Sequence, residues 1–272
     1  MADTSETLRG ILRELRIGIS LCTRLPLAPK SPLGDGDVAR ASWTLPIAGF
    51  LVGLAGGLAY WLANRLHVQP EPACALALVA TALFTGAMHE DGLADTADGL
   101  GGTTQEQRLE IMRDSRIGTF GVAALVLSFL LRWSALAQIG ELADIRSVVI
   151  ALIVAHSVSR AVLPAFMYLV PPARAEGLST SAGQPPAQSV AIALGLGILC
   201  LMLAFGPRLA MIALLILALA ALLLARLAFR ACVHRRHSLR PSPPVERISR
   251  STLLQCPAPS HGAGCAPSFP AD

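Results

Sequence analysis

Between residues 45 and 229 the sequence returns six times to a long apolar run, and this recurrence restricts the fold more than any other feature. About 20 apolar residues at 1.5 Å each cross the roughly 30 Å of hydrocarbon in a bilayer. The runs lie near 45–63, 73–88, 120–139, 147–170, 189–206 and 209–229. They predict an all-α, polytopic helical membrane bundle of about six transmembrane helices. Composition agrees: 15% of the residues are charged and 53% are hydrophobic, whereas soluble domains carry roughly 25% charge. The second run is short unless its helix continues into the acidic residues that follow. Only Gly206, Pro207 and Arg208 separate the last two, which therefore form a hairpin or a re-entrant pair.

Ahead of the runs, residues 6–24 place Leu8, Ile11, Leu12, Leu15 and Ile19 on one helical face and arginines on the other. This is the pattern of an amphipathic helix lying on an anionic lipid surface. Pro26, Pro29, Pro32, Gly34 and Gly36 then break the chain into a loop. No run in the first forty residues ends in a small-residue cleavage site, so no signal peptide is expected. The six cysteines form no C-x-x-C pair and read as small apolar or tail residues.

Seven of the eighteen acidic residues fall in the thirty-four positions from Met88 to Gly121. Carboxylates crowded beside a bilayer repel one another unless a cation or a proton neutralises them. Asp91, Asp95 and Asp98 stand at i, i+4 and i+7, on one face of a helix. Gly92 and Gly99 weaken that helix but let a backbone or phosphate approach. Thr103 and Glu106 have capping-box spacing, which starts a second helix near residue 104 that carries Glu110 and Asp114 four apart.

Two such helices facing one another would hold one or two hard divalent cations, of which Mg²⁺ is the expected one. Arg113 and Arg116 stand beside the acids, and their guanidinium forks suit the oxygens of a diphosphate. Acids for a metal and arginines for phosphate point to phosphoryl transfer. The alternative is a solvated, salt-bridged loop. His89 is a candidate base or ligand, although a regular helix turns it away from Asp91.

Among residues inside the runs, Arg160 has His156 one turn earlier and is a candidate phosphate contact. Arg132 and Arg226 read as snorkelling side chains. Gly49, Gly53 and Gly57 repeat every four residues, which suggests close helix packing. With the N-terminus inside, inside segments hold sixteen of the twenty-two basic residues. Short basic loops stay cytoplasmic, so the acidic stretch is expected on the cytoplasmic side of a bacterial inner membrane.

The segments HEDGLADTADGL and LEIMRDSRIGTFG resemble the signature of the cobalamin synthase (adenosylcobinamide-GDP ribazoletransferase) family. CTRLPL at 22–27, LPIAGFLVG at 45–53, Ser159-Arg160 and PPARAEGLS are similar as well, so the resemblance covers about residues 15–230. It implies a Mg²⁺-dependent membrane enzyme that joins α-ribazole or its 5′-phosphate to adenosylcobinamide-GDP, releases GMP and yields adenosylcobalamin or its phosphate. It further implies Asp91, Asp95, Asp98 and Asp114 as metal-site and catalytic acids, with Glu110 added by spacing; Glu90 is not in this set. Expected partners are the two substrates and membrane lipid, with a homo-oligomer left open and no nucleic acid.

Residues 1–237 are expected to form one membrane-embedded domain. After residue 237 the sequence departs from the family pattern, and 238–272, rich in Pro and Ser, are expected to be disordered. An altered reading frame near residue 237 would account for that change, and an inactive family member would then be one alternative. A small ion or metabolite transporter is the other, although transporters place coupling acids near the midplane.

Overall fold

A computed structural model of the chain describes residues 4–29, 31–170 and 178–233, and all regular structure among them is helical. The helices are α1 (Thr4–Cys22), α2 (Asp37–Ala41), α3 (Leu45–Arg65), α4 (Pro70–Thr85), α5 (Met88–Gly99), α6 (Gln105–Ile111), α7 (Thr119–Leu142), α8 (Ile145–Leu169), α9 (Leu178–Ala182) and α10 (Ala187–Val233). The atypical tail from residue 238 lies outside the described residues.

Among the described residues four segments are long and apolar enough to cross a membrane, and α4 with α5 makes a fifth if the bent pair is one broken span. The last two expected spans both lie in α10, which is interrupted at Gly206 (φ 71°, ψ 171°). That conformation is open to glycine and closed to other residues. The second expected span stops at Thr85, and α5 leaves it at 90°.

The turn between α4 and α5 is built from Gly86 (φ 69°) and Ala87 (φ 56°), both left-handed. Alanine in that region costs roughly 1–2 kcal/mol, so the surroundings must hold the turn in place. Two contacts do so. The Arg24 backbone N–H donates to the otherwise free Phe84 carbonyl at 2.9 Å, and the Arg24 side chain lies against Gly86.

The centre of the bundle is the α3–α8 contact. A Cβ at Gly49 would collide with the His156 carbonyl, one at Gly53 with the backbone of Leu152 and Ile153, and one at Gly57 with Val149. The four-residue glycine repeat is thus a groove into which α8 fits, as its spacing predicted. Beside it, Tyr60, Cys74, Ala77, Leu78, Leu136, Val148 and Leu152 form a core shared by α3, α4, α7 and α8.

Helix α1 is tied to the bundle at its polar side. Arg13 pairs with buried Asp37 at 2.7 Å, and Trp43 Nε1 donates to Glu14 at 2.6 Å. Of the stripe read from the sequence, Leu15 and Ile19 are half-buried, Ile19 against Cys22, Leu45 and Ala48, whereas Leu8, Ile11 and Leu12 point outward. The apolar stripe read from the sequence is therefore divided, one part packed inward and one part open to the surroundings.

Candidate active site on the acidic helix

Helix α5 runs antiparallel to the first half of α7, and a contact near each of its ends sets this direction. Asp98 accepts from the backbone N–H groups of Gly118 and Gly121, each at 2.8 Å. Glu90 pairs with Arg132 at 3.2 Å. From Gly118 to Arg132 a helix rises about 21 Å, so α5 lies along the first half of the membrane-length helix α7. Buried Ala94 and Gly99 face the bundle.

On the outward side, Asp91 is exposed and Asp95 half-buried. One turn separates them, about 40° around the axis. Neither carboxylate has a hydrogen-bond or ion-pair partner among the described residues. Gly92 lies between them, and a Cβ there would have nothing within 4 Å. The pair therefore borders open space.

Asp98, the third acid of the expected triplet, is placed differently. Both of its oxygens hold the first turn of α7, whose leading N–H groups have no partner within that helix. A Cβ on Gly118 or Gly121 would strike this carboxylate, so the two glycines create its seat. The spacing had grouped Asp98 with the metal acids, but packing commits its oxygens to α7.

The second acidic element begins where expected, though its cap lies one residue later. Thr104 Oγ1 accepts from Gln107 N at 3.2 Å, and Gln107 Oε1 accepts from Thr103 N at 2.9 Å. Thr103 and Glu106 do not form the expected box. On and after this helix Glu110 and Arg113 are exposed. Asp114 binds Arg116 through the side chain at 2.7 Å and the backbone N–H at 3.1 Å. These contacts hold the Asp114 carboxyl below its usual range and raise the Arg116 guanidinium, hydrogen bonding being the chief cause in both. Among the described residues no three of His, Cys, Asp and Glu gather closely enough to hold a metal ion. The expected five acids (Asp91, Asp95, Asp98, Glu110, Asp114) are therefore not one assembled cage.

The inner side of α5 carries a second polar group that the sequence did not assemble. Arg132 does not snorkel: it pairs with Glu90, donates to the Ser128 carbonyl at 3.3 Å and lies over the Phe129 ring at 4.5 Å. Glu90, outside the expected site, is 14% exposed. Next to it, buried Arg160 on α8 contacts His156 Nδ1 at 3.0 Å, and Cys22 sits beside the guanidinium. His89 turns inward with its Nδ1 buried, away from Asp91 as helix geometry required. The available signal was Arg132 itself, since a charged residue within a span calls for a partner.

A bundle of apolar helices with a carboxylate pair on one face of α5, and one buried and one half-buried arginine on the other, defines a polytopic membrane protein with a polar site built onto its helical layer. The chain belongs to the cobalamin-5-phosphate synthase family, whose match covers residues 14–238. An adenosylcobinamide-GDP ribazoletransferase from Bradyrhizobium diazoefficiens is 58% identical over 231 residues, 85% of this chain and 88% of the relative. Similar proteins of the same name from Mesorhizobium japonicum and Ralstonia nicotianae are 49% and 42% identical, over 64% and 65% of this chain and 66% and 69% of theirs. No solved structure matches. Residues 239–272 lie beyond the family match.

Proposed function

We infer that this chain is a membrane-embedded transferase of cobalamin biosynthesis. It joins α-ribazole, or its 5′-phosphate, to adenosylcobinamide-GDP and releases GMP. Family membership over residues 14–238 carries this reading, and the chain's own residues supply a site suited to it.

The outer pair, Asp91 and Asp95, fits a hard divalent cation. Mg²⁺ commonly takes one or two carboxylates and completes its shell with water and substrate phosphate oxygens. Two unpaired carboxylates one turn apart beside open space are such a donor set. When bound there, the ion neutralises the diphosphate and acidifies a nearby hydroxyl. Arg113 lies exposed without a partner among the described residues, and Arg116 is held by Asp114. In this reading the diphosphate recruits both guanidinium groups.

The ribose hydroxyl oxygen forms a bond to the phosphorus attached to cobinamide, and the bond from that phosphorus to the GMP oxygen breaks. The hydroxyl proton passes to a carboxylate on the outer face. His89 points to the other side of α5, which leaves Asp91 and Asp95 as the bases within reach. Substrate orientation contributes much of the acceleration in such transfers.

The site opens to the cytoplasmic side of the inner membrane, a placement supported by the basic-residue count. The outward Leu8, Ile11 and Leu12 of α1 rest on lipid, and the bundle admits a homo-oligomer. The direct test is Asp95→Asn in nanodiscs with Mg²⁺. GMP formation should fall about 100-fold, equivalent to ~2.7 kcal/mol of transition-state stabilisation. Near-normal turnover at ordinary Mg²⁺ would remove the metal pair.

A further inference from the structure

Two left-handed residues in a row join α4 to α5, and the way α4 ends accounts only for the first. Gly86 N donates to the Leu83 carbonyl at 3.3 Å and Ala87 N to the Ala82 carbonyl at 2.9 Å, the two bonds that close a helix on a left-handed glycine. That cap does not require Ala87 itself to be left-handed, yet its φ is 56°. Its conformation serves α5: the Ala87 carbonyl accepts from the backbone N–H of Asp91 at 2.8 Å, a bond that begins this helix. A strained residue therefore carries the backbone of one of the two open acids, and such strain persists only where neighbours hold it.

The neighbour is Arg24, which reaches the turn from a fixed base. Cys22 and Thr23 are buried at the end of α1. Thr23 Oγ1 donates to the Ile19 carbonyl at 2.7 Å and accepts from Leu25 N at 3.3 Å. Arg24 N donates to the Phe84 carbonyl, which the cap of α4 leaves free. The Arg24 side chain then lies along Gly86, where a Cβ would come within 2.8 Å of Nε and 3.3 Å of Cγ and Cδ. Arg24 is exposed and makes no ion pair among the described residues, so its contact with the turn is made by the stem.

We propose, on the transferase reading above, that Arg24 is a positioning residue for the reaction. Its stem wedges the Gly86–Ala87 turn in the left-handed form from which α5 leaves α4 at 90°, and so presents Asp91 and Asp95 to the cation and the diphosphate. Asp98 fastens the far end of α5 to Gly118 and Gly121. Loss of the wedge therefore frees the first turn of the helix, where Asp91 lies, before it frees the rest.

The test pairs amide hydrogen exchange on the full chain in nanodiscs with EDTA, which involves neither metal nor substrate, with a Mg²⁺ titration of GMP formation. The bias against a left-handed alanine is about fivefold to thirtyfold. Arg24→Ala should speed exchange at Asp91 and the turn after it by about that factor. It should raise the Mg²⁺ concentration for half-maximal rate similarly, while kcat at saturating Mg²⁺ stays close to wild type, because binding selects the positioned state. Adding Ala87→Gly, which removes the strain, should restore both values. Arg24→Met, which keeps a stem over Gly86 without the charge, should retain most of both. Should Arg24→Ala fail to fold, Arg24→Met decides: wild-type exchange at Asp91 supports the wedge and faster exchange overturns it. Unchanged exchange in Arg24→Ala, no recovery on adding Ala87→Gly, or a lower kcat at an unchanged Mg²⁺ requirement overturns the positioning role. A loss in Arg24→Met as large as in Arg24→Ala overturns it too and assigns the charge instead. Absence of GMP formation by the wild type while the exchange responses hold would overturn the transferase reading and leave the wedge in place.

Discussion

Gly92 shows how one position can test a site that two acids only frame. A helical glycine loses about 1 kcal/mol relative to alanine, and at Gly92 a Cβ would meet nothing. Gly92→Ala should therefore stabilise α5, visible as slower amide exchange along 88–99. If the open space between Asp91 and Asp95 receives the diphosphate, the same methyl should raise KM for adenosylcobinamide-GDP. Slower exchange with unchanged KM would show that substrate does not approach there. Asp98 lies only seven residues from Asp91, yet its chemistry differs because Gly118 and Gly121 bring two N–H groups to its oxygens. Helical spacing displayed three equivalent acids; only the fold distinguishes the one that caps α7 from the two left open.

At the scale of elements, helix contact is set by small residues and by ion pairs between helices. Gly53→Val should destabilise the bundle by about 2–3 kcal/mol, the upper part of the usual cost of overpacking, because its Cβ meets α8 backbone that cannot rotate aside. Thermal unfolding in detergent measures this, and an unchanged midpoint would show that α8 is not seated in the glycine groove. The Glu90–Arg132 pair is the second element-scale contact, joining α5 to α7 across 42 residues. A double-mutant cycle with Glu90→Gln and Arg132→Gln should give a coupling energy of about 1–3 kcal/mol, and values near zero would mean the pair does not anchor α5.

These elements also show what the sequence could convey. Periodicity and hydropathy displayed the apolar helices, the glycine groove and the acid spacing, because each is local along the chain. The pairing of Glu90 with Arg132 was hidden, since a periodic pattern says which face a residue takes and not which distant helix meets it. The turn at Gly86 and Ala87 was hidden too: an alanine at positive φ leaves no compositional trace, and that turn sends the acidic helix off at 90° from α4.

For the whole molecule, the arrangement of α4, α5 and α7 fixes which side of the membrane the site can serve. Helix α5 and the start of α7 meet at Asp98, so the α5–α6 connection emerges at the same end as the first turn of α7. The α3–α4 connection lies at the opposite end of α4, and the Leu142 end of α7 lies with it, because Tyr60 and Pro70 crowd Gly140. Leu66 and Thr103 are both exposed, and they should therefore lie on opposite sides. With the native cysteines replaced, Leu66→Cys should react with a membrane-impermeant maleimide applied outside intact spheroplasts. Thr103→Cys should react only after permeabilisation. Labelling of Thr103→Cys from outside would place the acidic helix away from the cytoplasmic nucleotide pool, and the proposed use of adenosylcobinamide-GDP from that side would fail even with every side chain in its observed position.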